Sequence, residues 1–96
     1  MIELKTIVVR DNNVFSAIVG DEIVLMSLDS GTYYSLRSTS RAIWDGLKDP
    51  VRVSDLCDFL ASIYKTPLET VQSDTMAFLS LLEAQKMIEA QPAGTI

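Results

Sequence analysis

Residues 22–36, EIVLMSLDSGTYYSL, decide the fold. They read as a strand over residues 23–28, a tight turn at Asp29-Ser30-Gly31, and a second strand over residues 32–36. Glycine permits the positive φ that a tight reversal needs. The first strand is apolar on both faces, with Val24, Met26 and Leu28 on one side and Ile23 and Leu25 on the other. Such a strand is usually covered twice or sits in the middle of a sheet. The second strand comes last in the meander and has one neighbour, so its outer edge is free unless the N-terminal segment returns to cover it.

Upstream, residues 14–19 are a short apolar run that Gly20-Asp21 turns into the next strand, and residues 2–10, rich in β-branched side chains, reach a turn at Asp11-Asn12-Asn13. Downstream the pattern turns helical. Ser38, Thr39 and Ser40 offer an N-cap, and Ala42, Ile43, Trp44 and Leu47 place an apolar stripe on a short helix that stops near Lys48-Asp49-Pro50. A second helix opens at Val53-Ser54-Asp55, with Ser54 as cap and Leu56, Phe59, Leu60, Ile63 and Tyr64 at helical spacing. Thr66 caps a third helix over residues 67–85, with Pro67 at its first position. Its apolar side chains, from Leu81 through Phe78, Val71, Leu82, Leu68 and Leu79 to Met76, spread over roughly 220°, wider than the stripe a core needs. Residues 87–89 suggest a short terminal strand and residues 91–96 a loose tail. Strands followed by three helices outline an α+β domain whose second half resembles a winged helix-turn-helix.

At 96 residues with 48% apolar content, the chain predicts a single domain over residues 1–96, loosely ordered at residues 1–13 and 91–96. The net charge of −5 argues against nucleic acid and anionic membrane as partners. There is no histidine, and Cys57 is the only cysteine, so an internal disulfide and a Cys/His metal site are excluded by inventory. No secretory signal and no membrane span are legible, which makes the cytoplasm the expected location.

Catalysis finds little to work with. Cys57 sits in an amphipathic helix with no histidine to act as its base, which reads as a buried small hydrophobe. The acidic residues are scattered, and Gly20, Gly31, Gly46 and Gly94 are too isolated to cradle a phosphate. The expectation is a protein without enzymatic activity or cofactor. The third helix carries Glu69, Asp74 and Glu83 but no lysine or arginine, so it is poorly suited to enter a DNA groove.

Asp29-Ser30-Gly31-Thr32-Tyr33-Tyr34-Ser35-Leu36, then Ile43-Trp44, Leu56 and Tyr64, then Val71, Asp74, Phe78, Leu79 and Leu82, together resemble PqqD-like proteins, the leader-peptide recognition domains (RiPP recognition elements) of ribosomally made, post-translationally modified peptide pathways. The resemblance runs from about residue 14 to 88. Arg37 and Ser40 stand where the family often has asparagine and glycine. It implies a three-stranded antiparallel sheet followed by a three-helix winged helix-turn-helix unit. It also implies that a precursor leader peptide adds as a strand along Thr32, Tyr33, Tyr34, Ser35 and Leu36, with its apolar side chains entering a groove beside the third helix. On that helix Asp74, Ala77 and Leu81 lie at one margin and Met76 at the other, while Phe78 also belongs to the core stripe. The implied partners are the leader and a leader protease or modifying enzyme. Stand-alone leader-binding proteins of lasso-peptide pathways are the favoured comparison, and a PqqD-type chaperone for a radical enzyme is the near alternative. From another class, an acidic winged-helix DNA-binding regulator remains a competing expectation, and an edge strand can also pair with its own copy in a homodimer.

Overall fold

The computed structural model describes residues 2–91. In chain order the elements are β1 (Ile7–Arg10), β2 (Val14–Val19), β3 (Glu22–Ser27), β4 (Tyr33–Leu36), α1 (Thr39–Gly46), β5 (Val51–Arg52), α2 (Val53–Tyr64), α3 (Leu68–Ala84) and β6 (Ile88–Gln91). The α+β class and the antiparallel meander hold, and a second three-stranded sheet joins them.

The first sheet has the order β2-β3-β4, with β3 in the middle as its two apolar faces predict. Val14 to Val19 pair without a bulge with Ser27 to Glu22, and Ile23 to Met26 pair with Leu36 to Tyr33. Gly20 adopts φ 63 while Asp21 stays out of the positive-φ region, which fits a two-residue type II′ hairpin. The loop 28–31 closes through Gly31 N–H to the Ser27 carbonyl at 2.8 Å and Ser27 N–H to the Thr32 carbonyl at 2.9 Å, with Gly31 at φ 71. Ile23, Leu25 and Ser27 point into the core, while Val24 and Met26 on the other face are half-buried.

The second sheet, β5-β1-β6, holds the N-terminal segment. Ile7 and Val8 pair with Arg52 and Val51 on one side, and Ile7 to Arg10 pair with Gln91 to Ile88 on the other. Where the sequence suggests a loosely ordered segment over residues 1–13, the structure has a strand paired at both edges, with Ile2 and Val8 buried. The strand is shorter than residues 2–10 because residues 3–6 form a turn. Thr6 N–H donates to the Glu3 carbonyl at 3.1 Å, and Glu3 N–H donates to Thr6 Oγ1 at 2.9 Å. Of the expected loose C-terminal segment, Gln91 closes β6 and residues 92–96 lie outside the described residues.

This arrangement also changes how the helices begin. Val53 and Ser54 N–H donate to the Thr6 and Leu4 carbonyls, both at 2.9 Å, so backbone from the N-terminal turn satisfies the first donors of α2, and the cap position falls to Arg52 and not to Ser54, which lies inside the first turn. Thr66 Oγ1 donates back to the Tyr64 carbonyl at 3.3 Å, and Pro67 takes the cap position of α3 instead of its first turn. The first helix ends at Gly46, earlier than the Lys48-Asp49-Pro50 boundary. Arg10 closes that end: its Nε and one Nη reach the Trp44 carbonyl at 3.1 and 2.8 Å, and its guanidinium lies 4.5 Å from the centre of the Trp44 ring.

One apolar core joins these parts, with Val8, Leu25, Trp44, Leu60, Leu79 and Ile88 contributed by both sheets and all three helices. No described helix is long and apolar enough to cross a membrane.

Candidate functional site

Because the N-terminal segment serves the second sheet, no strand among the described residues pairs with the outer edge of β4. The register fixes which groups that edge offers. Antiparallel pairs alternate between hydrogen-bonded and non-hydrogen-bonded positions. Ser27 bonds Thr32, so Leu25 bonds Tyr34 and Ile23 bonds Leu36. The N–H and C=O groups of Tyr33 and Ser35 therefore point away from β3, along the free edge.

The five residues of the proposed edge take different places. Thr32 precedes β4, and its N–H donates to Ser30 Oγ at 3.3 Å, which ties it into the turn. Tyr33, 66% exposed, and Ser35 lie on the outer face, whereas Tyr34 is half-buried against the core and Leu36 is buried. The Tyr-Tyr pair thus splits into one exposed side chain and one packing side chain.

On α3 the buried arc is narrower than the sequence stripe, comprising Val71, Thr75, Leu79 and Leu82. Phe78 and Met76 fill in at its margins, packed against the core, and Leu81 stays 42% exposed. Asp74 and Ala77 are exposed. Met76 lies about 160° around the helix from Asp74, so the structure does not bring these two to one margin.

A cleft of about 180 Å³ opens on the Asp74 side. It is lined by Thr39, Leu60, Tyr64, Thr66, Val71, Asp74 and Thr75. It sits where β4 leads into α1, between the C-terminal turn of α2 and the first half of α3. Of the α3 residues expected at the groove, Asp74, Met76, Ala77, Phe78 and Leu81, Asp74 alone lines it. Thr39 and Thr75 were not foreseen; a threonine within the apolar arc of α3 was the available signal.

Thr75 Oγ1 is fully buried and has no hydrogen bond of ordinary geometry. Its polar neighbour is the thiol of buried Cys57, at most a weak partner. Burial pushes that thiol above its ordinary value, with the Thr75 hydroxyl pulling slightly the other way. A buried thiol biased towards its protonated form is a poor nucleophile.

The joint between β4 and α1 is strained. Ser38 holds φ 55 and ψ −126 and makes no side-chain cap bond. A side-chain-bearing residue in such a region costs about 1–3 kcal/mol, against the roughly 0.4–1 kcal/mol that glycine adds through unfolded-chain entropy. Ser38→Gly is expected to raise stability by about 1 kcal/mol, read as a higher urea midpoint; a lower midpoint would contradict the strain.

A second free edge went unremarked in the sequence. Among the described residues β2 is paired only with β3, and apart from Val14 its residues are exposed. Leu28 N–H bonds the Asn13 carbonyl at 2.8 Å, which turns the backbone groups of Val14, Ser16 and Ile18 outward. The run VFSAIV carries no charge and no proline, the usual means of blunting an edge.

Comparison with known proteins places these features in a family. Residues 22–88 match the family described as coenzyme PQQ synthesis protein D (PqqD). No curated protein sequence matches the chain. Among solved structures it is similar to one described as TbiB1 in complex with the TbiA(beta) leader peptide, at 31% identity and a TM-score of 0.76, over 84% of this chain and 94% of that one. The family match runs from β3 to the start of β6 and takes in β4, the cleft and all three helices, and with the structural likeness it shows that the chain belongs to the PqqD family.

Proposed function

We propose that this protein is a non-catalytic recognition module, a single domain that binds the leader of a ribosomally made precursor peptide and presents it to a second protein. The leader adds as a strand to β4, bonding the outward N–H and C=O groups of Tyr33 and Ser35. The support for β4 over β2 is that the family match takes in β4 and α3 and leaves out β2. Strand addition draws affinity from the main chain and specificity from side-chain pockets, and a lined cleft opens close to the joint between β4 and α1. The leader held by the similar TbiB1 supports the ligand class.

The second protein in this reading is a leader protease of the lasso-peptide type; a radical enzyme served by a PqqD-type chaperone is the alternative. Pairing between two copies is assigned to the uncharged edge of β2, which leaves β4 open in a dimer.

Calorimetric titration with the synthetic leader encoded beside its gene tests the reading. Saturable 1:1 binding is expected, and no heat at tens of micromolar overturns it. Faster leader removal by the neighbouring protease when this protein is added identifies the lasso-type role, and an unchanged rate removes it.

A further inference from the structure

β2 carries apolar side chains on both faces and is little covered on either. Phe15, Ala17 and Val19 share the outer face of the sheet with Val24, Met26 and Tyr33, and Phe15 and Val19 are 63 and 59% exposed. Ser16 and Ile18 lie opposite Leu25 and Ile23, on the face turned to the core, yet both are exposed, Ile18 at 70%. The core thus ends beneath β3, and of β2 only Val14 packs against it. The outward backbone groups of Val14, Ser16 and Ile18 are unpaired among the described residues. An exposed edge with large apolar side chains and neither charge nor proline is built to pair.

We infer that β2 pairs antiparallel with β2 of a second copy about a two-fold axis at Ser16. A two-fold interface needs a patch complementary to itself, and residues 14–19 supply one in a single register. Hydrogen-bonded pairing requires outward groups on both strands. Val14 then exchanges both N–H···O bonds with Ile18 of the copy, and Ser16 does so with Ser16. Between them Phe15 faces Ala17 of the copy, a large side chain over a small one, in a non-hydrogen-bonded pair where side chains come closest. On the other face Val14 covers the exposed Ile18 of the copy, and the two Ser16 hydroxyls meet at the axis. A slip of one residue sets outward groups against inward ones, and a slip of two leaves Val14 or Ile18 without a partner in β2. Each copy carries a net charge of −5, which opposes approach, but the strand itself carries none. Salt therefore strengthens this contact, whereas it weakens one made with a basic partner. Six residues are few beside the roughly 20–30 a side of standard interfaces, so the dimer is reversible. The self-pairing of β2 assigned above thereby takes one register, and both β4 edges stay free at the ends of a continuous sheet β4-β3-β2-β2-β3-β4.

Sedimentation equilibrium of the full chain from about 10 µM to about 1 mM is expected to show a reversible monomer–dimer equilibrium, with more dimer in about 0.5 M than in about 0.05 M sodium chloride. Ile18→Lys, at an exposed position, is expected to weaken association at least about tenfold, since a lysine on an edge blunts pairing. Cysteine substitution reads the register in a glutathione redox buffer, where buried Cys57 does not compete. Ser16→Cys is expected to give a disulfide-linked dimer, because directly opposed residues fall within the roughly 4.4–6.8 Å between Cα atoms that a disulfide spans. Ala17→Cys lies about 7–8 Å from its copy on the diagonal and is expected to stay unlinked. A chain monomeric up to about 1 mM, association weakened by salt or undiminished in Ile18→Lys, or Ala17→Cys linking as readily as Ser16→Cys overturns the proposal. Leader binding is measured separately: a leader that binds a chain monomeric throughout removes the dimer alone, and a dimer that takes no leader removes the leader reading alone.

Discussion

Urea unfolding of Trp44→Ala is expected to show a loss of about 4 kcal/mol, with the midpoint shifted and the slope unchanged. Trp44 is 2% exposed and is the largest of the fully buried side chains. Truncating a buried tryptophan removes its transfer free energy and leaves a cavity that close-packed neighbours fill only in part, together about 3–5 kcal/mol. The Arg10 guanidinium stacked on the ring adds a smaller term, about 0.5–2 kcal/mol. A domain of this size has roughly 5–15 kcal/mol in all, so the variant should be close to unfolding at 37 °C. A loss below about 1 kcal/mol would place the ring outside the core. Trp44 also ties β1 to α1, since Arg10 of β1 closes the end of α1 on it.

Proline at position 35 is expected to weaken leader binding by at least about a hundredfold while leaving the fold intact. Ser35 is opposite Val24 in a non-hydrogen-bonded pair, so its N–H faces the free edge and is not used by β3. Proline is tolerated at such edge positions, and it favours extended backbone in the residue before it, which Tyr34 already has. The added strand, in contrast, loses a donor of β4 and meets the pyrrolidine ring at its contact line. Proline at Tyr34 is a poorer test, because the Tyr34 N–H is directed at Leu25 and its loss injures the sheet itself. Calorimetry with the leader and circular dichroism separate the two effects; undiminished binding by a folded Ser35→Pro contradicts strand addition at β4.

Much of the meander was legible because turn residues punctuate it. Gly20-Asp21 and the Asn12-Asn13 turn bound β2 at Val14 and Val19, the limits seen in the structure, and β3 differs by one residue at each end. The second sheet was not legible. β5 is two residues long, Val51–Arg52, with no periodicity to detect, and β6 could be suspected at Ile88 but not assigned to β1, a pairing between the two ends of the chain. The caps failed for a related reason. Ser54 and Thr66 have the right chemistry for an N-cap, but the α2 donors bond carbonyls brought from Leu4 and Thr6 by tertiary folding. In the site, alternation alone could separate Tyr33 from Tyr34, yet which face meets the core depended on where the helices pack. On α3 the wide apolar face was visible, but the division between buried Leu79 and exposed Leu81 followed from the partners of the helix.

The most direct test of the account is amide hydrogen exchange of β4 with and without saturating leader. Tyr33 and Ser35 should exchange quickly in the free protein and become strongly protected on binding, whereas Tyr34 and Leu36, already bonded to β3, should change little. Binding that leaves the Tyr33 and Ser35 amides unprotected, or that protects Val14, Ser16 and Ile18 of β2 instead, would contradict a leader held as the fourth strand beside β4.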